Sequence, residues 1–161
     1  MQKINNNLTY KFILFLSILI LLSAYFIEYI LGHSPCNLCL IERLPYFFTV
    51  ILIFSFYIFK KYEKTINLLI LALFLFGFLV SLYHVGIEQG YFEESFVCNL
   101  NFSSNEITAK ELLKELEKKT ISCKIVTFKI LGLSLATFNT VLSLLISVII
   151  SINLLNYEKN K

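Results

Sequence analysis

The sequence predicts an all-α membrane protein, a four-transmembrane-helix bundle whose two cysteine-bearing loops lie on one face. Three observations carry this reading. Of 161 residues, 57% are hydrophobic and only 16% charged, at a mean hydropathy of +0.74. A soluble domain has about 25% charged residues. Four stretches lack Asp, Glu, Lys and Arg over lengths near the ~20 residues of a spanning helix. All four cysteines fall between these stretches. The same figures exclude disorder, which goes with apolar-poor, charge-rich chains. With 5 Gly and 2 Pro the chain is not collagen-like or of low complexity. A net charge of +3 spread over scattered lysines offers no groove for nucleic acid, so no nucleic-acid partner is expected. Length argues for a single membrane domain, 1–161.

The first apolar stretch runs from Phe12 to Ile27 and extends past Glu28 to Leu31. Its length exceeds a signal-peptide core and no A-x-A cleavage site follows, so it is expected to be retained as a span. The second, Leu44 to Phe59, is short, with Arg43 and Lys60 placed to snorkel at its ends. The third is Thr65 to Ile87 and the fourth Ile130 to Tyr157. Each is helical, because an open strand leaves backbone groups unsatisfied in lipid. The expected spans are 12–31, 44–59, 65–87 and 130–155.

Four spans put both termini on one side and loops 32–43 and 88–129 on the other. The first side holds Lys3, Lys11, Lys60, Lys61, Lys64, Lys159 and Lys161, so the positive-inside rule puts both termini in the cytoplasm. Six lysines between Lys110 and Lys129 in the long loop weaken that signal. Within this loop, Asn105 to Lys119 is rich in helix formers, with Ile107, Leu112, Leu113 and Leu116 able to share a face. It reads as an amphipathic helix on the membrane surface or as a solvated linker helix.

Cys36 and Cys39 occupy the first loop, Cys98 and Cys123 the second. An even number of cysteines gathered outside the membrane points to disulfides in an oxidising compartment, the periplasm or its equivalent. The pairs differ in kind. Cys36-Asn37-Leu38-Cys39 is a C-x-x-C, a spacing suited to redox cycling with one lowered thiol pKa. If the stretch is helical, Arg43 stands one turn beyond Cys39 and favours a thiolate there, as does the helix N-terminus. Alternatively Pro45 marks the helix start, leaving 36–43 in a preceding turn. A Cys98–Cys123 bridge would close a long polar loop, stabilising it by roughly 3 kcal/mol on chain entropy. A zinc site on all four cysteines is disfavoured, since only one pair is closely spaced and an oxidising compartment competes for the thiols.

His84 and Glu88 end the third span on the cysteine side, one helical turn apart, with Glu28 and Glu42 at the same level. Ionisable groups at that depth are costly and usually face the protein interior. Arg43, His84 and Glu88 beside a redox pair could bind a polar head group and handle protons; ordinary interfacial ion pairs are the plainer reading. A dithiol oxidised at a membrane must pass on two electrons. With no haem or iron–sulfur motif, Rossmann fingerprint or P-loop, a quinone is the simplest acceptor.

Three motifs then stand in order. Cys36-Asn37-Leu38-Cys39-Leu40-Ile41-Glu42-Arg43-Leu44-Pro45-Tyr46 resembles the C-x-L-C-x-x-[EQ]-R-x-P-Y signature of the DsbB family of disulfide bond formation proteins. His84-Val85-Gly86-Ile87-Glu88 resembles that family's H-x-G-[VI]-E, and Gly132 to Asn139 its G-L-S-[ML]-A-x-[YWF]-N. The resemblance spans about Phe12 to Leu155. It implies a four-helix thiol–quinone oxidoreductase of the bacterial inner membrane that reoxidises a periplasmic, DsbA-like thioredoxin-fold oxidase. By this resemblance Cys98 forms the mixed disulfide with the partner, and Cys123 is its pair and engages Cys36. Cys39 faces a ubiquinone or menaquinone with Arg43 nearby, and His84 and Glu88 flank the quinone. Many members carry Gln at the position of Glu42, and some at that of Glu88.

Two other readings compete. One is a non-catalytic scaffold stapled by Cys98–Cys123. The other is a bundle of the vitamin K epoxide reductase type, which would place its C-x-x-C in the last span instead.

Overall fold

The computed structural model describes residues 6–58, 63–93, 98, 123–124, 129–130 and 132–159. Four helices dominate: α1 (Asn6–Tyr29), α2 (Asn37–Ile58), α3 (Glu63–Glu88) and α4 (Leu135–Lys159). A two-residue antiparallel ribbon, β1 (Lys129–Ile130) with β2 (Leu133–Ser134), precedes α4. All four helices are long and apolar enough to cross a membrane. Each leaves large apolar side chains exposed, among them Phe15, Leu22, Phe54, Leu79 and Leu145. Such a surface suits lipid and would associate in water. The amphipathic segment expected at 105–119 lies outside the described residues.

Helix α1 packs on α2, α2 on α3 and α3 on α4. The core draws Ile13 from α1, Ile53 and Phe56 from α2, Ile70 and Phe74 from α3, and Ile146 and Ile150 from α4. Lipid tails are as apolar as these side chains, so the helices are held by close packing and interhelical hydrogen bonds rather than by expulsion of water. Close packing is clearest between α2 and α3. A Cβ on Gly77 would stand 3.0 Å from Cγ of Pro45 and 3.6 Å from Oγ of Ser143. Gly77 therefore makes room for a proline ring inside α2 and for the approach of α4.

Helix α1 is held near both ends. Towards its start the Tyr10 hydroxyl donates to Oδ1 of Asn67 at 2.8 Å, and the Tyr10 ring lies 4.5 Å from that of Phe56. Towards its end Glu28 pairs with Arg43 of α2 at 2.5 Å. Between these anchors the Ser23 hydroxyl donates back to the Leu19 carbonyl at 2.8 Å.

Three expected helix starts move by more than a helical turn, and the first is that of α1, which begins at Asn6 rather than 12. Helix α2 begins at Asn37 rather than 44, so Cys39 and Arg43 are helical and Pro45 is internal. The interior proline removes one backbone hydrogen bond, a loss spanning helices tolerate when neighbours compensate. Helix α4 begins at Leu135 rather than 130. Gly132, at φ 84°, turns the ribbon, and the Ser134 hydroxyl accepts from the Thr137 amide at 3.3 Å as an N-cap.

Gly77→Leu should overpack the α2–α3–α4 contact at a cost of about 1–3 kcal/mol, read as a lower thermal-unfolding midpoint in detergent. Gly77→Ala, which adds only the Cβ at 3.0 Å from Pro45 Cγ, should cost less than Gly77→Leu in the same measurement.

Candidate functional site

The first motif is built around a helix start. The Cys36 carbonyl accepts from the Leu40 amide at 3.2 Å, which makes Cys36 the N-cap of α2. Its sulfur accepts from the amide of Cys39 at 3.3 Å, the bond that a capping side chain makes to the third helical residue. The C-x-x-C spacing therefore follows from the cap, which draws the two sulfurs to 2.9 Å of each other. Both thiols are free, Cys36 buried and Cys39 partly so.

His84 of α3 reaches this pair. Its Nε2 lies 3.6 Å from Sγ of Cys36, and its Nδ1 is 2.8 Å from Oε1 of Glu42. The other Glu42 oxygen, Oε2, accepts from Nδ2 of Asn139 in α4 at 3.0 Å. The Tyr46 hydroxyl donates to Oδ1 of Asn139 and lies 3.5 Å from Oγ of Ser143. A carboxylate that accepts through both oxygens leaves Nδ1 of His84 carrying the ring proton. Glu88 Oε1 stands 3.8 Å from His84 Nε2. A hydrogen-bonded line thus runs from Cys36 through His84 and Glu42 to Asn139 and Tyr46, joining three helices.

Chiefly the hydrogen bond from the Cys39 thiol holds the Cys36 thiol well below its ordinary range; burial opposes this and the His84 contact assists it. The sequence assigns that help to Cys39, through Arg43. The structure redirects it. The Arg43 guanidinium is engaged by Glu28 and lies over the Tyr25 ring, 5.3 Å from its centroid. The group facing the thiols is His84, and the helix start is capped by Cys36.

Arg43 and Cys39 instead share the wall of a cavity of about 230 Å³ between α1, the 33–35 turn, α2 and α4. Ile20 and Ala24 form one side, Phe138 and Leu142 another, and Glu42, Tyr46 and Asn139 supply polar atoms. Of the three residues expected around a bound quinone, Arg43, placed near the ring, lines this space. His84 and Glu88 of α3 do not; His84 instead meets Cys36 and Glu42.

The Cys98–Cys123 disulfide is closed, with Cα atoms 5.9 Å apart. Both of its cysteines are buried in one apolar cluster with Cys36, Leu38 and Ile87. The end of α3 turns the chain towards them. Gly90, at φ 80°, caps α3, and the amides of Tyr91 and Phe92 return to the Gly86 carbonyl at 2.8 and 3.3 Å. A Cβ on Gly86 would lie 2.3 Å from the Phe92 ring, which accounts for glycine in the second motif. Cys98, the residue expected to meet a partner, is 3% exposed in this closed arrangement.

Asn139, Tyr46 and Glu28 are site residues that sequence reasoning left without a role. A signal existed for Asn139, since a polar side chain within a span is costly and normally partnered. Asn139→Leu, which strips Glu42 and Tyr46 of a partner together, should cost about 1–2 kcal/mol and lower the midpoint of thermal unfolding in detergent. Tyr46→Phe should cost less, since the Asn139–Glu42 bond survives.

Two comparisons bear on this geometry. A protein of Rickettsia prowazekii described as uncharacterized protein RP370 is 28% identical over 148 residues, spanning 91% of this chain and 86% of that one. Residues 6–153 match the family described as Disulfide bond formation protein DsbB. That match takes in α1 to α3 and most of α4, the capped C-x-x-C, the His84–Glu42–Asn139 line and the closed second disulfide, so the chain is a multi-pass membrane protein of disulfide-bond formation and belongs to the DsbB family.

Proposed function

We propose that this protein reoxidises a periplasmic, DsbA-like thioredoxin-fold oxidase and delivers the two electrons to a membrane quinone, with both termini in the cytoplasm of a bacterium and the cysteines on the periplasmic side of its inner membrane. One observation carries the reading: Cys39 opens on an apolar cavity beside Arg43 while its partner Cys36 packs in one cluster with the Cys98–Cys123 disulfide. A relay needs that two-sided placement, and a staple does not.

The residues around the cavity fit a quinone ring. At about 230 Å³ the space is smaller than the ~300–1,000 Å³ of drug-sized sites and suits a single ring. Apolar walls match the ring faces, and the remaining N–H groups of Arg43 and Asn139 are donors for carbonyl oxygens. When bound, a quinone accepts two electrons and two protons. The chain's own groups do the rest. Cys98 exchanges with the partner dithiol, and Cys123 is its leaving thiolate. When Cys36 and Cys39 are joined as the oxidised pair, Cys123 then attacks Cys36, whose position in the shared cluster keeps the exchange local; the Cys36–Cys39 bond breaks and Cys39 leaves as a thiolate facing the cavity. The partner's second thiol frees Cys98, which closes again on Cys123 and releases Cys36, and Cys36 and Cys39 rejoin as the two electrons pass on. Exchange of this kind needs an accessible sulfur and a stable leaving thiolate. His84 is placed to take a proton at Nε2 from the Cys36 thiol, while Glu42, which touches both His84 and the cavity, holds the ring in place. In balance, the partner dithiol becomes a disulfide, the quinone becomes a quinol, and both thiol protons end on quinone oxygens.

Purified protein in detergent, given a reduced thioredoxin-like oxidase and a soluble quinone, should form quinol, and Cys39→Ser should abolish it. Turnover by Cys39→Ser at the wild-type rate would overturn the relay. Cys98→Ser should lose at least 100-fold of partner-driven rate and keep reduction by a small dithiol, which does not need the outer pair. Equal loss with both reductants would remove Cys98 from the role of partner contact.

A further inference from the structure

Cys36 Sγ, Cys39 Sγ and one ring nitrogen of His84 all lie within 4.8 Å of one another. Three soft donors so placed are a ligand set, and the sequence does not reveal it, because His84 comes from another helix. The zinc reading weighed from the cysteines concerned all four of them. In the structure Cys98 and Cys123 are bonded to each other, and the histidine takes the third place.

The distances fit a tetrahedral ion. Bonds of about 2.3 Å to sulfur and about 2.0–2.1 Å to nitrogen require sulfur and nitrogen to stand about 3.5 Å apart. Cys36 Sγ and His84 Nε2 are 3.6 Å apart. Two coordinated sulfurs stand about 3.7–3.8 Å apart on the same bond lengths, against 2.9 Å for the free thiols. A small side-chain rotation of Cys39, which is only partly buried, opens that gap.

The surroundings are those of a metal ligand. A histidine bound to metal usually donates its other ring N–H to a carboxylate, which fixes the tautomer and raises basicity. Nδ1 of His84 meets Glu42 at 2.8 Å, leaving the Nε2 lone pair turned to the sulfurs. The Cys39 amide already donates to Cys36 Sγ. Glu88 Oε1, 3.8 Å from Nε2, is near enough to supply a fourth ligand directly or through a water.

We propose that the reduced Cys36–Cys39 pair and His84 bind one soft divalent cation of the zinc class. Thiolate and imidazole donors select zinc over magnesium or calcium. Each thiol that enters the coordination sphere gives up its proton, and no electron moves. Closing the Cys36–Cys39 disulfide removes two of the three donors, so the site exists only while the pair is reduced. This inference does not rest on the proposed quinone reaction.

The test uses full-length protein in detergent carrying Cys98→Ala and Cys123→Ala, so that only the inner thiols remain. Reduced protein titrated with Co²⁺ should give a thiolate-to-cobalt absorption band saturating at one ion per chain. Zn²⁺ should displace the cobalt, and a chelator should remove the zinc. The same protein with Cys36–Cys39 oxidised should give no band, a comparison free of any folding difference. Glu42→Gln should weaken zinc binding by about 10–100-fold, and His84→Ala by more. Absence of the band in the reduced protein, its persistence after oxidation, or unchanged affinity in a folded His84→Ala protein would each overturn the proposal. None of these readouts involves quinone, so failure here leaves the relay untouched, and failure of the relay leaves the site untouched.

Discussion

A carboxylate placed inside a membrane bundle must be surrounded by donors, and most of the cysteine end of this molecule answers that demand at Glu42. The residue is buried. Satisfying one oxygen commits His84 of α3, and satisfying the other commits Asn139 of α4. Hydrogen bonds between helices in lipid are modest one by one, about 0.6–2 kcal/mol, but these two also set direction. They fix the register of three helices and aim the histidine ring at the thiols. The apolar core nearer the other end supplies packing, and much of its volume could be redistributed among other aliphatic side chains. The Glu42 contacts have no such substitute.

The same constraint links the two faces of the site. Glu42 belongs to the turn of α2 that follows Cys39, so one face of the helix carries the carboxylate and the sulfur to the cavity. On the other side His84 supports Cys36 near the outer disulfide. One helix start therefore serves two exchanges that involve different atoms of one C-x-x-C. The cap explains how. Cys36 lies just outside the helix, where its sulfur completes the backbone hydrogen bonding, while Cys39 lies inside and inherits the orientation of α2.

The four spans were legible from uninterrupted apolar runs, because lipid leaves a chain of this composition few alternatives to helices. The cysteine face was legible from the placement of Cys36, Cys39, Cys98 and Cys123 between those runs. The start of α2 was not. Pro45 reads locally as a helix start, and only the space made by Gly77 on a different helix lets it sit inside one. Arg43 was recognised as important, but its partner was beyond reach. Periodicity says that Arg43 shares a face with Cys39, and nothing local says that Glu28, fifteen positions earlier, takes up its charge. Asn139 and Tyr46 meet across 93 positions, a pairing that exists only once α2 and α4 are packed.

The seating of α1 bears on the cavity. From Tyr10 to Glu28 the helix runs about 27 Å at 1.5 Å per residue, fastened to α3 at one point and to α2 at the other. Between the anchors Ile13 is buried in the core and Leu16, Ile20 and Leu21 pack against it, so the stretch carrying Ile20 and Ala24 of the cavity wall is seated along its length. Ser23 is there too, with the hydroxyl-to-carbonyl bond that bends helices locally. The shape of the cavity on this side therefore follows from how α1 as a whole seats on α2. A change at either anchor would alter the shape of a wall several turns away.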